Sequence, residues 1–214
     1  DDYISAFFYN VGLLEELEIA PPTVGMTHED FMTMLAAIQE SGVSPLGADG
    51  TISFYNNWYT TYFMIRAAGM EAFRDAAYDE TGELWLQPEF LQGSQMLTEL
   101  QDAEYFQDDF EGSVWPAAQV HWVGGNVAML LMGAWLPAEM GLQMPEGFST
   151  QMFAFPVFED GLGNDWVEHW ANTYAILNTT ESPDAAVLYL KYITSPAVVE
   201  QIVAIGVPMP IVGA

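Results

Sequence analysis

The spacing of apolar residues changes along the chain, and each change marks an element. Residues 4–9 form a short apolar and aromatic run, read as a strand, and residues 13–17 read as a short helix. Pro21-Pro22-Thr23 then breaks the chain. Phe31, Met34, Leu35 and Ile38 recur at the spacing of one buried helix face. Thr27 is suited to cap that helix, with Asp30 three residues on, and Gly42 ends it. A strand is expected over 43–46, closed by Gly47-Ala48-Asp49-Gly50. Residues 54–70 are dense in aromatics and predict a helix with Gly69 near its end. Asp79-Glu80-Thr81-Gly82 predicts a hairpin turn. Pro88 suits the first turn of a helix whose stripe is Phe90, Leu91, Met96, Leu97 and Leu100.

An acidic loop follows over 107–111, then a helix over 113–123 with Pro116 in its first turn. Gly124-Gly125 leads into an apolar run that ends in Gly133-Ala134-Trp135. That pattern reads as a buried strand delivering a large ring to an edge, where it can meet a ligand. A short helix from Pro137, a strand over 151–155 and a Gly- and acid-rich loop over 159–165 come next. Residues 170–177 predict a strand. Ser182-Pro183 and Ser195-Pro196 each start a helix, through Ile193 and Ile205, and 206–210 reads as extended. Strands separated by helices, with no internal repeat, predict an α/β fold.

Hydrophobic content of 51% and aromatic content of 14% are ample for a packed core. The length fits one domain or half of a two-lobed protein. The charge changes the picture more: 30 acidic side chains face three cations, Arg66, Arg74 and Lys191, for a net charge of −27. Such a chain cannot neutralise phosphates, which argues against nucleic acid as a partner, and anionic membrane surfaces repel it. The acids are spread along the chain, which favours a uniformly acidic, salt-adapted surface over a site for cations. Self-repulsion then weakens the fold in dilute buffer, and about 1 M KCl, with a Debye length of roughly 3 Å, relieves it. The melting temperature is expected to rise between the two; no rise contradicts salt adaptation.

The chain has no cysteine, so disulfides, thiolate metal sites and cysteine nucleophiles are excluded. No apolar run reaches the length of a membrane span. No signal-peptide pattern is present, and a leader is expected to have been removed or to lie outside this sequence. His28, His121 and His169 are scattered without metal spacing, and Asp108, Asp109 and Glu111 lack the glycine of a calcium loop. Neither a metal nor a cofactor is expected. Nucleophile-elbow, Walker and dinucleotide patterns are absent, so no catalytic residue is assigned.

Several landmarks, in order, resemble the extracellular solute-binding proteins of ABC importers, in the sugar-binding family that includes maltose-binding protein. Phe8-Tyr9-Asn10 followed by Leu13-Leu14 resembles the family's early strand and the helix after it. Pro21-Pro22-Thr23 and Phe31 sit where the family has P-P-x-T-W-x-E-F, although the Trp is absent here. Residues 125–135 resemble G-x-x-A-M-x-x-x-G-x-W, the family's strongest signature. Residues 172–177 resemble the apolar return strand, Pro183-Asp184-Ala185-Ala186 the P-E-A-A helix start, and Thr194-Ser195-Pro196 the T-S-P that follows.

The resemblance implies a periplasmic-binding-protein type II-like α/β fold, a hinge-bending receptor with its ligand between two lobes. Residues 1–168 would form mainly the second lobe, and 169–214 the crossing strand and helices of the first. Family members are about twice this length, so the remainder of the receptor is an expected partner, and helices 182–205 should expose an apolar face if the chain stands alone. The implied function is binding without catalysis: a sugar is held and delivered to a membrane permease outside the cytoplasm, by a periplasmic or lipid-anchored protein.

Sugar recognition needs flat aromatic faces and planar polar groups. Trp135 matches the family's stacking Trp. Tyr55, Asn56 and Trp58 lie in a segment resembling the helix start that faces the cleft. Trp170 opens the crossing strand, and Tyr9 is a further candidate. Three other readings stand beside this one. They are a receptor for a cationic or quaternary-amine solute, which Trp-rich walls and surplus acid also suit, a glycoside-acting enzyme, and an interaction module without a ligand.

Overall fold

The computed structural model describes residues 2–171 and 173–205. Among them the strands are β1 (Asp2–Asn10), β2 (Ser44–Gly47), β3 (Val127–Gly133), β4 (Thr150–Phe153) and β5 (His169–Ala171). The helices are α1 (Val11–Glu16), α2 (His28–Glu40), α3 (Ser53–Ala68), α4 (Met70–Ala77), α5 (Pro88–Asp102), α6 (Ala117–Val123), α7 (Leu136–Met140), α8 (Pro183–Ile193) and α9 (Pro196–Ala204). The α/β expectation holds. No helix among the described residues is long and apolar enough to cross a membrane.

Strand order is β2-β3-β1-β4, with β5 also pairing to β1. β2 and β3 run parallel, whereas β4 and β5 are antiparallel to β1. All of β3 is buried, as its unbroken apolar run requires for a strand covered on both faces. α2 follows its period closely: Phe31, Met34, Leu35 and Ile38 are its buried residues. Thr27 caps it twice over, accepting from the Asp30 N–H and donating to the Asp30 carboxylate at 2.8 Å.

The described chain divides into two compact units. The larger comprises Ser5–Met132 and Gln143–Glu168; the smaller comprises Asp1–Ile4, Gly133–Leu142 and His169–Ala214, so far as these are described. The larger unit packs its core around Phe7, Phe31, Leu35, Tyr62, Phe63 and Phe155, all nearly inaccessible. A satellite of Met64, Ala68, Ala76 and Phe90 lies against Phe73 and Trp85. In the smaller unit α8 and α9 bury none of their residues. Leu188, Tyr189, Tyr192 and Ile205 are 61–70% exposed there, so the expected apolar face is open.

Several boundaries differ from the sequence expectation. The aromatic helix stops at Ala68, because Gly69 takes φ +82°, and a separate α4 follows. Residues 79–82 form no hairpin. The Asp79 carboxylate accepts from the N–H groups of Leu84 and Thr81 and so caps a 3-10 turn over Glu83–Leu86. Those bonds hold its carboxyl below the usual range. Leu91 is half exposed, since α5 buries Phe90, Gly93 and Leu100 instead. Pro116 precedes α6 as its cap residue rather than opening its first turn.

The return strand is shorter than expected. β5 ends at Ala171, and residues 173–177 pair with no strand among the described residues. A strand needs a neighbour for its backbone groups, and Tyr174 and Leu177 are exposed instead. Asn172 and the stretch 206–210 lie outside the described residues.

Candidate functional site

In the smaller unit three rings meet. Tyr3 of β1 and Trp170 of β5 are direct cross-strand partners. Their ring centres lie 5.8 Å apart. Trp135, just beyond β3, meets Tyr3 edge-on at 5.1 Å and Trp170 at 5.5 Å. Both tryptophans remain half-buried, whereas Tyr3 is buried. The local sequence explains the placement of Trp135. A Cβ on Gly133 would stand 2.0 Å from the Trp135 ring, so only glycine lets the indole fold back over the strand end. The Ala134 N–H donates to the Ile4 carbonyl at 2.9 Å and ties this corner to β1. The result is a partly open aromatic surface whose rings brace one another, able to take an apolar face of a ligand.

In the larger unit a second aromatic group opens α3. Tyr55 and Trp58 lie 5.1 Å apart, with the exposed Phe54 meeting Trp58 edge-on at 5.6 Å. Tyr55 and Trp58 are themselves buried. The Trp58 indole hydrogen-bonds the Glu168 carboxylate, which also accepts from the Ser5 hydroxyl at 2.6 Å. Beside it the Tyr62 hydroxyl donates to the Ser5 carbonyl at 2.6 Å and accepts from the Glu168 N–H at 3.2 Å.

Burial raises the Glu168 carboxyl above its ordinary value of 4.5, against the pull of the Ser5 and Trp58 bonds. The folded state therefore binds this proton more readily than the unfolded one. Stability from Glu168 is fully present below pH 4.5 and is lost as pH rises through the higher folded value. The Glu168→Gln variant is expected to lack that component. The difference in melting temperature, variant minus parent, should grow as pH rises through this window; a flat difference contradicts the assignment.

The other candidates have settled partners. Tyr9 is buried and donates to the Gln151 amide oxygen at 2.8 Å across the β1–β4 pair. The Asn56 amide donates to the Gly50 carbonyl at 2.9 Å while facing a cavity of about 390 Å³. Trp135 and Trp170 are thus brought together in one unit, and Tyr55 and Trp58 in the other. His28 packs between the edges of Phe63 and Phe158, and burial lowers its pKa. His121 lies 3.6 Å from Asp109, and His169 is exposed on β5. No cluster of three or more metal-ligating side chains occurs among the described residues.

Sequence reading missed Tyr3 and Glu168. Tyr3 falls one residue before the recognised apolar run, although its alternation with Ser5, Phe7 and Tyr9 was available. Nothing in the sequence marks Glu168 among 30 acids.

The sequence matches the family of bacterial extracellular solute-binding proteins over residues 1–200. The chain belongs to this family. No curated protein sequence matches it. Among solved structures it is similar to a chitin oligosaccharide binding protein, at 21% identity and a TM-score of 0.83, covering 96% of this chain and 51% of that one. It is also similar to the solute-binding protein RafE in complex with raffinose, at 22% identity and a TM-score of 0.77, covering 99% and 55%. A third is a manno-oligosaccharide specific solute-binding protein from Bifidobacterium animalis subsp. lactis in complex with mannotriose, at 20% identity and a TM-score of 0.69, covering 92% and 48%. These likenesses establish the solute-binding-protein fold. The chain spans about half the length of the structures it matches.

Proposed function

We propose that this solute-binding protein serves an ABC importer by binding a carbohydrate without chemical turnover. The observation that carries the reading is the ring cluster in which buried Tyr3 supports the half-buried Trp135 and Trp170. The half-buried Trp135 and Trp170 offer apolar ring area to the C–H face of a sugar. The raffinose and mannotriose complexes of structural relatives support the choice of ligand class. On this reading residues 1–168 form mainly the second lobe, and the strand and helices of 169–214 belong to the first. Closure around the sugar would present the loaded form to a membrane permease on the extracytoplasmic side. The open apolar face of α8 and α9 would pack against further receptor chain.

Titration calorimetry of the intact receptor against neutral mono- and oligosaccharides tests this. Saturable heat is expected from at least one of them. Silence across the panel, with heat from betaine or a polyamine, would replace the carbohydrate reading by the cationic one.

A further inference from the structure

In a chain with 30 acidic and three basic side chains, one cavity of the larger unit is walled without a charged group. It holds about 390 Å³, within the roughly 300–1,000 Å³ of small-molecule sites. Ser53, Asn56, Asn57, Thr60 and Gln101 line it with hydroxyls and amides, and Phe106 and Phe110 supply an aromatic wall. Those two rings stack at 4.7 Å and 22°, and Phe106 meets the edge of the buried Tyr59 at 5.3 Å.

The wall is anchored. The Ala48 N–H donates to the Gln107 amide oxygen at 3.0 Å, and the Gln107 amide nitrogen donates back to the Ala48 carbonyl at 2.7 Å. The Gly50 N–H donates to the Phe110 carbonyl at 3.0 Å. Buried Asp49 accepts from the Ser113 hydroxyl at 2.6 Å and from the Ala118 N–H at 3.0 Å. A wall held this way loses little freedom when a ligand arrives. The polar side is available as well. Asn57 donates only to Thr61, and no hydrogen bond among the described residues occupies the Ser53 or Thr60 hydroxyl or the Gln101 amide.

We propose that this cavity is a second carbohydrate-contacting site, taking a neutral sugar unit of an oligosaccharide. The inference rests on the carbohydrate reading above and adds a site distinct from the Trp135 rings. Hydroxyls and amides both donate and accept, as sugar hydroxyls require, and a phenylalanine face covers the C–H side. A cation would find no carboxylate here. The carboxylates of Glu104, Asp108 and Glu111 lie in the adjoining recess, which shares Gln101, Phe106 and Phe110 with the cavity.

The test compares binding of a neutral oligosaccharide series by the intact receptor and three variants. Asn57 and Gln101 are exposed on helices, so Asn57→Ala/Gln101→Ala keeps the fold; Phe110→Ala probes the wall, and Trp135→Ala is the reference. The double variant should bind at least one sugar of the series about ten-fold more weakly than the parent does, as two lost neutral hydrogen bonds predict. Phe110→Ala should act in the same direction. Unchanged binding of all lengths by both cavity variants, with loss in Trp135→Ala, overturns this inference and leaves the carbohydrate reading standing. No heat from any sugar in the parent overturns both. Heat from a quaternary amine that the double variant abolishes would assign the cavity to cations and overturn the proposal.

Discussion

Replacing Arg66 by methionine is expected to destabilise the larger unit by about 3–5 kcal/mol. Arg66 is 1% exposed on α3. Its guanidinium donates to the carbonyls of Gly163 and Trp166 at 2.6 Å each, Pro156 at 3.1 Å and Phe155 at 3.2 Å. It also lies over the rings of Tyr62 and Phe155, at 5.3 and 5.9 Å. Burial lowers its pKa, with Tyr62 and Asp165 opposing that shift. Methionine fills the space and leaves the carbonyls without their donor. Lysine keeps the charge but not the planar fork, and should recover less than half of the loss. Urea denaturation measures both; an Arg66→Met variant within about 1 kcal/mol of the parent would show that the carbonyls find other donors.

The second large effect falls on binding. On the proposed function, Trp135→Ala should weaken carbohydrate affinity by about 2 kcal/mol, roughly thirty-fold, the scale of a central aromatic contact. The ring is half-buried and rests on Gly133 and Tyr3, so some stability is lost too. Trp135→Phe separates the two effects. It keeps a ring against Tyr3 and a smaller stacking face, and should lie between parent and alanine in affinity while melting close to the parent. Affinity unchanged in both variants, measured by calorimetry on the intact receptor, contradicts the contact.

These residues show what the sequence makes legible. The α2 face, its Thr27 cap and the buried β3 were readable because period, cap chemistry and composition act locally. The glycine two residues before Trp135 was readable as a motif, and the structure supplies its reason: the indole occupies the place of a Cβ. Residues 173–177 misled because an apolar run predicts a strand only where a neighbour exists to receive its backbone. Tyr3 and Trp170 come from distant parts of the chain and meet through strand register, which no local pattern encodes. Arg66 was visible only as a lone cation in an aromatic helix. Its role depends on carbonyls brought to it from residues 155–166. The Phe106–Phe110 wall was hidden in a loop that read as merely acidic.

Fluorine-labelled tryptophan NMR of the intact receptor, with each of the seven tryptophans of this chain assigned by substitution, tests directly whether the aromatic triad meets the ligand. On saturation with a bound oligosaccharide, the Trp135 and Trp170 resonances should move, while the wholly buried Trp122 stays in place. Bound sugar that leaves Trp135 and Trp170 unmoved would contradict the account.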